Sequence, residues 1–568
     1  MTAVPPHAFH GRKKPWRIAE PINPADAKEL GDLPSLIADL LHHRGLRTAD
    51  EVHEFLDVSE SLLEDPESLP DMGLALERLE VARDRDELVA VYGDFDADGV
   101  TGTALLVRAL DRFGIRTLPY IPHRVEEGHG LNPVSVRYLR EQGVNLILTV
   151  DCGVTDTDPI ALARSLGMDT IVTDHHTVSG ALPNATAIIN PRAPGSVYPF
   201  DHLTGVGMAL KLAQTLLEPT DGAEWAESLL ELAAIGTVTD MAPLVHENRY
   251  IVHRGLDQLR RTTTLGLQVL MRAAGVEAPT LGSDGVGFAI GPRLNAAGRL
   301  DHAMDAYRLL MTKDPAEAEA LVVQLERHND QRRYLTDEAF EACRQAITQA
   351  GGPGDLILEG SPEYNPGIVG LVAGRLAEEF GVPAAVYALD GSVVRASSRG
   401  APSFHWAQAL ASCHDLLDRY GGHAQAAGFT CDAIRLPELR ERLLAVVHER
   451  LPGGPVGPEG YIDAEVALPQ LMGTTLQTLR RLEPFGVGNP APVFLTKDVL
   501  VEDVRTMGAD GQHLRLRLRS GGATWVAVAF RQPWQPGIER ADIVYSLDVD
   551  HWGGTPRLRL TIHDYAPA

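Results

Sequence analysis

Three aspartates alternate within one short segment of the sequence, at positions Asp94, Asp96 and Asp98. They follow the apolar run 88–92, which predicts a buried strand, and the residues from 99 onward predict a helix. Carboxylates this close together repel one another unless a cation or a proton lies between them. Oxygen ligands suit Mg²⁺ and Mn²⁺. The segment is therefore a candidate metal site, with a solvated turn or a helix cap as the alternative for any single pair of these acids.

Three further groups of acids and histidines stand at the ends of apolar runs. They are Asp151 after residues 145–150, the triplet Asp174-His175-His176 after residues 169–173, and Asp240 after residues 232–239. We interpret each run as a strand. Helical stretches at 133–141 and 159–166 alternate with the strands, which predicts a parallel α/β sheet. Ligands of such sheets bind beyond the carboxyl ends of the strands, so we expect all four groups to meet at one edge.

Together these motifs resemble those of the DHH phosphoesterase superfamily, which is named for the triplet at residues 174–176, and within it the bacterial single-strand exonucleases. The resemblance runs from about residue 40 to residue 568. Its supporting motifs stand at residues 93–99, 150–153, 236–240, 291–299, 421–423 and 484–490. Any one of these motifs is weak evidence, whereas six of them in the family's order are strong evidence.

The resemblance implies an α/β fold class with three domains. The expected parts are an N-terminal extension (1–45), a parallel-sheet DHH domain (46–304), a long connecting helix (305–350), a smaller α/β DHHA1-type domain (351–452) and a C-terminal all-β, OB-like domain (453–568). The composition of the connecting segment agrees, because it is rich in Ala, Glu, Leu and Gln with leucines at helical spacing. The Gly-Gly-Pro-Gly run at 351–354 predicts the end of that helix.

The resemblance also implies two divalent metal ions, Mn²⁺ or Mg²⁺. A phosphodiester is an anion and repels a hydroxide nucleophile, and two ions overcome this by activating water and neutralising the phosphoryl oxygens. By analogy with the family, Asp151 would bridge the two ions. Asp96 would bind one of them, and Asp98, His175 and Asp240 would bind the other.

The remaining residues of the predicted centre have less certain assignments in the sequence. Tyr92 stands where enzymes of the superfamily often carry a histidine ligand, so either Asp94 or water would fill that position. Asp94 is thus either a ligand or a neighbour of one. We expect His176 to contact the phosphate and, with Asp151, to act in catalysis, while Asp174 orients an imidazole.

Cationic side chains near the metals are expected to select the substrate. Arg124, Arg293 and Arg299 are candidates, because a planar guanidinium binds phosphate through two hydrogen bonds; a surface salt bridge is the alternative for each. The resemblance adds Asn295 beside the metals, Ser397 and Arg399 at a terminal 5′-phosphate, and Gly422 and His423 at the nucleic-acid backbone. A pocket that closes over a 5′-phosphate would set a 5′-to-3′ direction.

In the last domain, Arg515, Arg517 and Arg519 alternate with leucines, which predicts a strand with its arginines opposite the core. OB-folds bind single strands on such a face, and an ordinary solvated sheet is the alternative. Four aromatic residues of this region could stack on bases or fill the core: Trp525, Phe530, Trp534 and Trp552.

The charge balance does not exclude a nucleic-acid partner. The formal net charge is −26, but residues 501–568 contain eight arginines and eight acids, and a local basic track is sufficient for binding. The sequence has no 18-residue apolar span, no signal-peptide core and four scattered cysteines. We therefore expect a soluble, cytoplasmic, monomeric protein without a membrane partner, and the family adds a helicase and a single-strand binding protein as companions.

The resemblance implies a 5′-to-3′ exonuclease that degrades single-stranded DNA with a 5′-phosphate to 5′ mononucleotides in DNA repair and recombination. Two alternatives stay open at this point. One is a small-substrate enzyme of the same superfamily, such as an oligoribonuclease, a cyclic-dinucleotide phosphodiesterase or a pyrophosphatase, against which the region after residue 459 argues. The other is a non-catalytic repair scaffold, against which the retained carboxylates argue.

Overall fold

The computed structural model describes residues 8–10, 14–178, 180–218, 223–400, 404–454, 460–508, 511–550 and 557–568. Within these ranges the strands form four sheets. None of the helices in the described ranges combines the length and the apolar character needed to span a membrane.

The N-terminal residues pack on the last domain of the chain. Their elements are β1 (Ala8–His10), β2 (Pro15–Ile18), α1 (Pro24–Glu29), α2 (Ser35–His43) and α3 (Ala49–Leu56). Ile37, Leu40 and Leu41 of α2 are fully buried in one core with leucines of the C-terminal domain, such as Leu516. Much of the segment predicted as an extension is therefore built into that domain by its apolar side chains.

The domain that contains the predicted metal ligands, here called the catalytic domain after its expected role, is built on a parallel sheet whose faces are covered by helices. Its elements are α4 (Met72–Asp84), β3 (Leu88–Gly93), α5 (Ala97–Phe113), β4 (Arg116–Tyr120), α6 (Pro133–Glu141), β5 (Leu146–Val150), α7 (Thr157–Ser165), β6 (Asp169–Thr173) and β7 (Ala187–Ile189). The strand order is β4-β3-β5-β6-β7, and all neighbours run parallel. Strands covered on both faces are continuous apolar runs, which is why the sequence predicted them; the predicted parallel α/β sheet is confirmed.

A layer of helices follows the sheet in the same domain. It contains α8 (Gly205–Leu217), α9 (Ala223–Glu227), α10 (Leu230–Thr239), α11 (His246–Leu259), α12 (Leu265–Ala273), α13 (Ser283–Gly285), a π-helical turn (Val286–Ile290), α14 (Gly291–Leu300) and α15 (Met304–Met311). The strand predicted over 232–239 is wrong, because these residues form most of α10. The run is buried on all sides, and a short, fully buried apolar run has no periodicity that separates a strand from a helix.

The long helix α16 (Pro315–Gln349) connects the catalytic domain to a smaller α/β domain, and it is shorter than the predicted helix 305–350 because residues 304–311 form the separate helix α15. It begins with Pro315 after the cap Asp314, whose side chain accepts from Ala316 N. The second domain contains β8 (Ile357–Ser361), α17 (Val369–Phe380), β9 (Ala384–Asp390), β10 (Val393–Arg399), α18 (Trp406–Ala411), β11 (Arg419–Gly422), β12 (Ala426–Asp432) and α19 (Leu436–Arg450). Its strand order is β11-β12-β10-β9-β8, with β8 and β9 parallel and the other neighbours antiparallel.

The C-terminal domain is a small closed barrel. Its elements are β13 (Gly460–Ile462), β14 (Ala464–Glu465), α20 (Thr474–Arg480), β15 (Val493–Met507), β16 (His513–Ser520), β17 (Ala523–Ala529), β18 (Arg540–Asp550) and β19 (Arg557–Pro567). The strand order β15-β16-β17-β19-β18 closes on itself because β15 also pairs with β18. β13 instead pairs in parallel with β2, which ties the two ends of the chain together. The predicted all-β domain is thus present, and closure removes its sheet edges.

Candidate metal centre and nucleic-acid site

Neighbouring strands of the catalytic sheet bring the predicted acids together at one edge. Asp94 follows β3, Asp151 follows β5 and Asp174 follows β6, and all three are buried. Gly93 and Val150 are paired across β3 and β5, so Asp94 and Asp151 leave the sheet side by side. Asp151 lies in the left-handed region, at φ 62°, a conformation that is uncommon for a residue with a side chain and is concentrated at functional sites.

The amino terminus of α8 fixes the carboxylate of Asp98. Gly205 N donates to Oδ2 at 2.6 Å and Val206 N donates to Oδ1 at 2.8 Å, an arrangement that the helix dipole also favours. Glycines make this close packing possible. A Cβ on Gly205 would lie 2.3 Å from the Cβ of Asp151, and one on Gly236 would lie 2.7 Å from Oδ1 of Asp98.

Three overlapping sets of side chains have ligand atoms within 4.8 Å of one another. They are Asp94 with Asp96 and Asp151, Asp98 with His175 and Asp240, and Asp151 with His175 and His176. Asp151 belongs to two of the sets, and its Oδ1 lies 3.0 Å from Nε2 of His175. Asp151 is thus common to two of the candidate ligand sets, and its predicted role as a ligand shared by two ions stays a prediction.

The protonation of these groups agrees with a cation site. Burial and the neighbouring carboxylates raise the pKa of Asp98 to about 7, and they also raise the pKa values of Asp96, Asp151 and Asp240 above the ordinary aspartate value. Burial, together with the charge of His176, lowers the pKa of His175 to about 3, so its imidazole is neutral and can act as a ligand. Acids that repel one another in a buried cluster gain from a divalent ion between them, so the residues fit such a group.

Asp174 orients His176 and does not point at the predicted ions. Its Oδ1 accepts from Nδ1 of His176 at 2.7 Å and from the backbone N–H groups of both histidines, and its Oδ2 accepts from Val154 N at 2.9 Å. Although burial acts in the opposite sense, these hydrogen bonds lower the pKa of Asp174. Because Nδ1 of His176 is engaged, its Nε2 is left to meet a substrate.

His129 is a residue of the site that sequence analysis missed. Its Nδ1 lies 3.0 Å from Oδ1 of Asp94, its ring lies 5.3 Å from that of His176, and the charge of Asp94 raises its pKa to about 9. It lies in the polar loop 123–132, which is fixed where Leu131 N donates to Asp156 at 2.7 Å. Sequence analysis considered this region only for Arg124, and one histidine in a polar, glycine-rich loop is a weak signal.

Tyr92 does not take the role of the histidine found in related enzymes. Its hydroxyl donates to Gly130 O at 2.9 Å and its ring stacks on Tyr120. Tyr92 therefore supports the loop that carries His129, and His129 in turn contacts Asp94. Whether Asp94 binds an ion directly stays open between the two alternatives.

Four arginines converge beside the metal centre: Arg124, Arg299, Arg332 and Arg399. Burial and then the charges of the other three lower the pKa of Arg299 to about 9, and burial and then the charge of Arg124 also lower the pKa of Arg399. Arg332, which was also missed, comes from the connecting helix α16. Guanidinium groups this close repel one another, and a bound anion such as phosphate would relieve the repulsion.

Elements from different domains build this cluster. Arg124 packs over Phe95 at 4.6 Å, next to Asp94 and Asp96, and Nη1 of Arg299 donates to Gly367 O at 3.1 Å in the second domain. Ser397 and Arg399 lie on β10, and both face Gly370 at the start of α17. The first turn of a helix favours anions, so the surroundings suit a phosphate.

Two predicted substrate contacts are engaged within the protein. Arg293 is largely buried, and it donates to Glu326 at 2.6 Å and to Ala289 O at 2.9 Å; a phosphate contact of Arg293 stays a prediction. Oδ1 of Asn295 accepts from Ala97 N at 2.8 Å. Asn295 therefore holds the amino terminus of α5, beside Asp96.

The second domain reaches the metal centre through His423. Its ring stacks on that of His176 with centroids 5.6 Å apart and planes 13° apart. The neighbouring Gly422 has φ 130°, and a Cβ there would lie 2.5 Å from Ala426 O, so this position requires glycine. Gly422 is the last residue of β11.

On the barrel, Arg515, Arg517 and Arg519 lie exposed along β16 while the intervening leucines are buried, as predicted. Glu502 partly neutralises the row, since it lies 2.9 Å from Arg517 and 3.8 Å from Arg519. Of the four aromatic residues, Trp525 is in the core, Trp534 stacks on Tyr565 at 4.2 Å, Phe530 is exposed, and Trp552 lies outside the described residues.

Family models match three parts of the chain. A model described as "DHH family, N-terminal domain" matches residues 88–237, "DHHA1 domain" matches 354–449 and "RecJ OB domain" matches 462–564. These matches and the observed sheets confirm the predicted fold class. The exact domain boundaries 46–304, 351–452 and 453–568 stay predictions.

Relatives and solved structures extend the similarity over nearly the whole chain. The single-stranded-DNA-specific exonuclease RecJ of Bacillus subtilis is 35% identical over 98% of this chain and 71% of its own length, and that of Escherichia coli is 32% identical over 94% and 96%. The crystal structure of RecJ from Thermus thermophilus in complex with Mn²⁺ matches 97% of this chain and 79% of its own, at 32% identity and a TM-score of 0.82. The structure of the same protein in complex with Mg²⁺ matches 97% of this chain and 78% of its own, at 31% identity and a TM-score of 0.77. The clustered acids, the order of the three domains along the chain and these similarities agree, and the chain therefore belongs to the RecJ family of DHH proteins.

Proposed function

We propose that this protein hydrolyses single-stranded DNA from a 5′-phosphorylated end and releases 5′ mononucleotides. Membership of the RecJ family makes it a metal-dependent exonuclease, and the predicted enzyme class is confirmed. One observation carries the finer proposal: the metal cluster centred on Asp151 and the arginine cluster around Arg299 lie side by side, joined by Arg124. A scissile phosphate and a terminal phosphate can thus be bound together.

The carboxylates and His175 are proposed to hold the two ions. Asp96 and Asp151, with Asp94 as a ligand or a neighbour, would hold one ion, and Asp98, His175, Asp240 and the shared Asp151 would hold the other. When bound, such ions activate a water and neutralise the oxygens of the phosphodiester. The residues supply fixed geometry, because backbone N–H groups hold Asp98 and the strand ends hold Asp94 and Asp151.

His176 is proposed to contact the scissile phosphate. Its hydrogen bond to Asp174 fixes the ring and, despite the burial of His176, raises the pKa of the imidazole. A protonated Nε2 donates a charge-assisted hydrogen bond to a phosphoryl oxygen and can pass a proton to the departing oxygen. The stacked ring of His423 limits the space on the other side.

The arginine cluster is proposed to read the 5′ end. Arg124, Arg299, Arg332 and Arg399, with the hydroxyl of Ser397, can pair with the two charges of a terminal phosphate, which an internal phosphodiester does not have. Removal of one nucleotide then leaves a new 5′-phosphate for the same pocket. This sets the direction as 5′ to 3′, and the barrel face of Arg515, Arg517 and Arg519 would hold the strand beyond the cut.

The test is degradation of a 5′-phosphorylated single strand labelled at either end, with Mn²⁺ present. We expect 5′ mononucleotides from the phosphorylated strand, slower attack on a 5′-hydroxyl strand and little attack on blunt duplex. Cleavage of dinucleotides alone would favour the small-substrate alternative. Binding without turnover would favour the scaffold. Asp151→Ala is the matched control, which should bind the strand and not cut it.

The cellular setting of this activity is proposed from the family. DNA repair and recombination, a helicase and a single-strand binding protein as partners, a monomeric state and a cytoplasmic location all stay predictions for this chain. The choice of Mn²⁺ or Mg²⁺ is open, since the ligand set suits both ions and relatives are known with each.

A further inference from the structure

The motif at residues 484–490 joins the barrel to the catalytic domain and has no role in the proposed chemistry. Asn489 is fully buried within it: its Nδ2 donates to Leu482 O at 2.7 Å and to Pro484 O at 2.9 Å, and its Oδ1 accepts from Nε of Arg44 at 2.8 Å. Gly486 N also donates to Asn489 O at 2.9 Å. One buried side chain therefore fixes the shape of the segment.

Arg249 anchors the same segment to α11 of the catalytic domain. It is 1% exposed, and its guanidinium packs over the Phe55 ring at 3.9 Å. It donates to four carbonyl oxygens, those of Phe55, Arg481, Leu482 and Glu483, at 2.9–3.2 Å. A buried guanidinium with this many acceptors is a costly contact to break, so the segment has a fixed place on α11.

The anchored segment lies directly against the loop 241–245, which follows Asp240. Leu244 N donates to Val487 O at 2.7 Å. A Cβ on Gly488 would lie 3.2 Å from the Cβ of Pro243. From the other side, the hydroxyl of Ser283 donates to Phe485 O at 2.5 Å. The motif is thus held between this loop and α13.

The backbone around Asp240 differs from that around Asp98, another predicted ligand. Asp98 is held by two backbone N–H groups of α8, whereas Asp240 stands at the carboxyl end of α10, where the helix dipole disfavours a carboxylate. The next residue, Met241, has φ 60°, so the chain turns sharply there. Asp240 therefore stands directly before this turn, at the junction of α10 and the loop.

We propose that the segment 482–490 positions Asp240 in the metal centre, with Asn489 and Arg249 as positioning residues. This rests on the proposed role of Asp240 as a metal ligand. It gives the C-terminal domain a second task besides holding the strand, because the barrel and the metal centre meet at one loop. A shift of the segment moves Pro243 and Leu244, and through them Asp240.

The test is a pair of glycine substitutions in the full-length protein. Gly488→Ala adds a methyl against Pro243 at φ 75°, whereas Gly522→Ala makes the same change at φ 82° in the β16–β17 turn of the same domain, where the space is open. Mn²⁺ affinity is measured by calorimetry, and turnover is measured on a 5′-phosphorylated dinucleotide, the shortest strand with a scissile bond.

We expect Gly488→Ala to weaken Mn²⁺ binding by about tenfold, the size of effect typical of groups that orient metal ligands, and to lower kcat on the dinucleotide with little change in KM. Gly522→Ala should change neither quantity. Ser283→Ala, which removes the hydrogen bond to Phe485 O, should act in the same direction with a smaller effect, and it decides the matter if Gly488→Ala fails to fold.

The proposal is overturned if Gly488→Ala or Ser283→Ala loses thermal stability yet binds Mn²⁺ and cuts the dinucleotide as the parent protein does. The segment would then only dock the barrel. Asp240→Asn in the same titration separates this failure from a failure of the proposed function. If Asp240→Asn binds Mn²⁺ as tightly as the parent, the ligand assignment of Asp240 is itself wrong.

Discussion

The ring of His423, from the second domain, lies stacked on the ring of His176, from the catalytic domain, with centroids 5.6 Å apart and planes 13° apart. The pair closes the metal centre on the side of the second domain. Asp174 already fixes His176 through a hydrogen bond. His423 therefore contributes a stacking contact that limits the space beside His176, and not a second orienting hydrogen bond.

We expect His423→Ala to raise KM for short strands by about two- to tenfold, because an aromatic pair contributes about 0.5–1.5 kcal/mol. Mn²⁺ affinity should not change, since His423 belongs to none of the three sets of candidate ligands. Steady-state kinetics on a short 5′-phosphorylated strand, with the exposed His414→Ala as control, measures this. A loss of metal binding in His423→Ala would contradict the assignment.

Asp151→Asn is predicted to separate catalysis from stability. The shared carboxylate is lost, so kcat should fall at least about a thousandfold, the equivalent of several kcal/mol. In the metal-free protein, the same change removes a carboxyl whose ionised form is destabilised by burial and by the neighbouring aspartates, so the thermal midpoint should rise at pH values where that carboxyl would ionise. Turnover and a thermal scan in chelator test both parts. A variant that is less stable and still active would contradict the shared-ligand role.

The stabilisation by Mn²⁺ is predicted to increase with pH. The pKa values of Asp96, Asp151 and Asp240 are raised, and that of Asp98 is raised to about 7. A carboxyl whose folded pKa exceeds its unfolded value adds stability at low pH, and this is lost as the pH rises through the folded value. The metal-free protein should therefore lose stability as the pH rises towards 7 and above. Over the same range Mn²⁺ competes with fewer bound protons, so its stabilising effect should grow. Thermal midpoints with and without Mn²⁺ at about pH 6 and about pH 8 test this; an equal shift at both would refute it.

The arginine cluster predicts a selective loss. Arg399→Ala and Arg332→Ala should each reduce the preference for a 5′-phosphate over a 5′-hydroxyl by about ten- to a hundredfold, because a charge-assisted hydrogen bond contributes about 1.5–3 kcal/mol. Turnover of the 5′-hydroxyl strand should change little. Arg395→Ala, an exposed arginine on the same strand as Arg399, is the control. An unchanged preference in both variants would place the phosphate pocket elsewhere.

Sequence and structure agree best for residues that follow buried strands, because the pattern that predicts them is local in the sequence. The acids after β3, β5 and β6 were predictable because buried parallel strands have an unmistakable apolar pattern and end at one edge. The run 232–239 was assigned to the wrong element for a related reason: a segment that is buried on every side has the same pattern as a strand or as a helix. Asp240 was nevertheless placed at the centre, since either element ends at that residue.

The residues that were missed act across domains or within loops. His129 is one polar residue in a glycine-rich loop, and Arg332 stands on a helix among other charged residues. Neither differs locally from a solvated surface residue, and only the packing of α16 and the second domain brings Arg332 next to Arg299. The ion pair of Arg293 was not predictable for the same reason, because its partner Glu326 lies on a helix 33 residues later.

The glycine of the segment 236–240 is predicted to be as important for the centre as the ligands. A Cβ on Gly236 would lie 2.7 Å from Oδ1 of Asp98 and 2.5 Å from the Val206 side chain, so Gly236→Ala must displace either the carboxylate or α8. Both changes disturb the two N–H groups that hold Asp98. We expect a fall of about ten- to a hundredfold in Mn²⁺ affinity.

Gly73→Ala in α4 is the matched control for Gly236→Ala, since the space around Gly73 is open and alanine favours a helix over glycine by up to about 1 kcal/mol. This variant should keep its metal affinity and gain slightly in thermal midpoint. Calorimetric titration of both proteins with Mn²⁺, beside thermal scans, measures the difference. If Gly236→Ala binds Mn²⁺ like the control, then Asp98 is not a ligand, because a ligand carboxylate could not be displaced without cost to the ion.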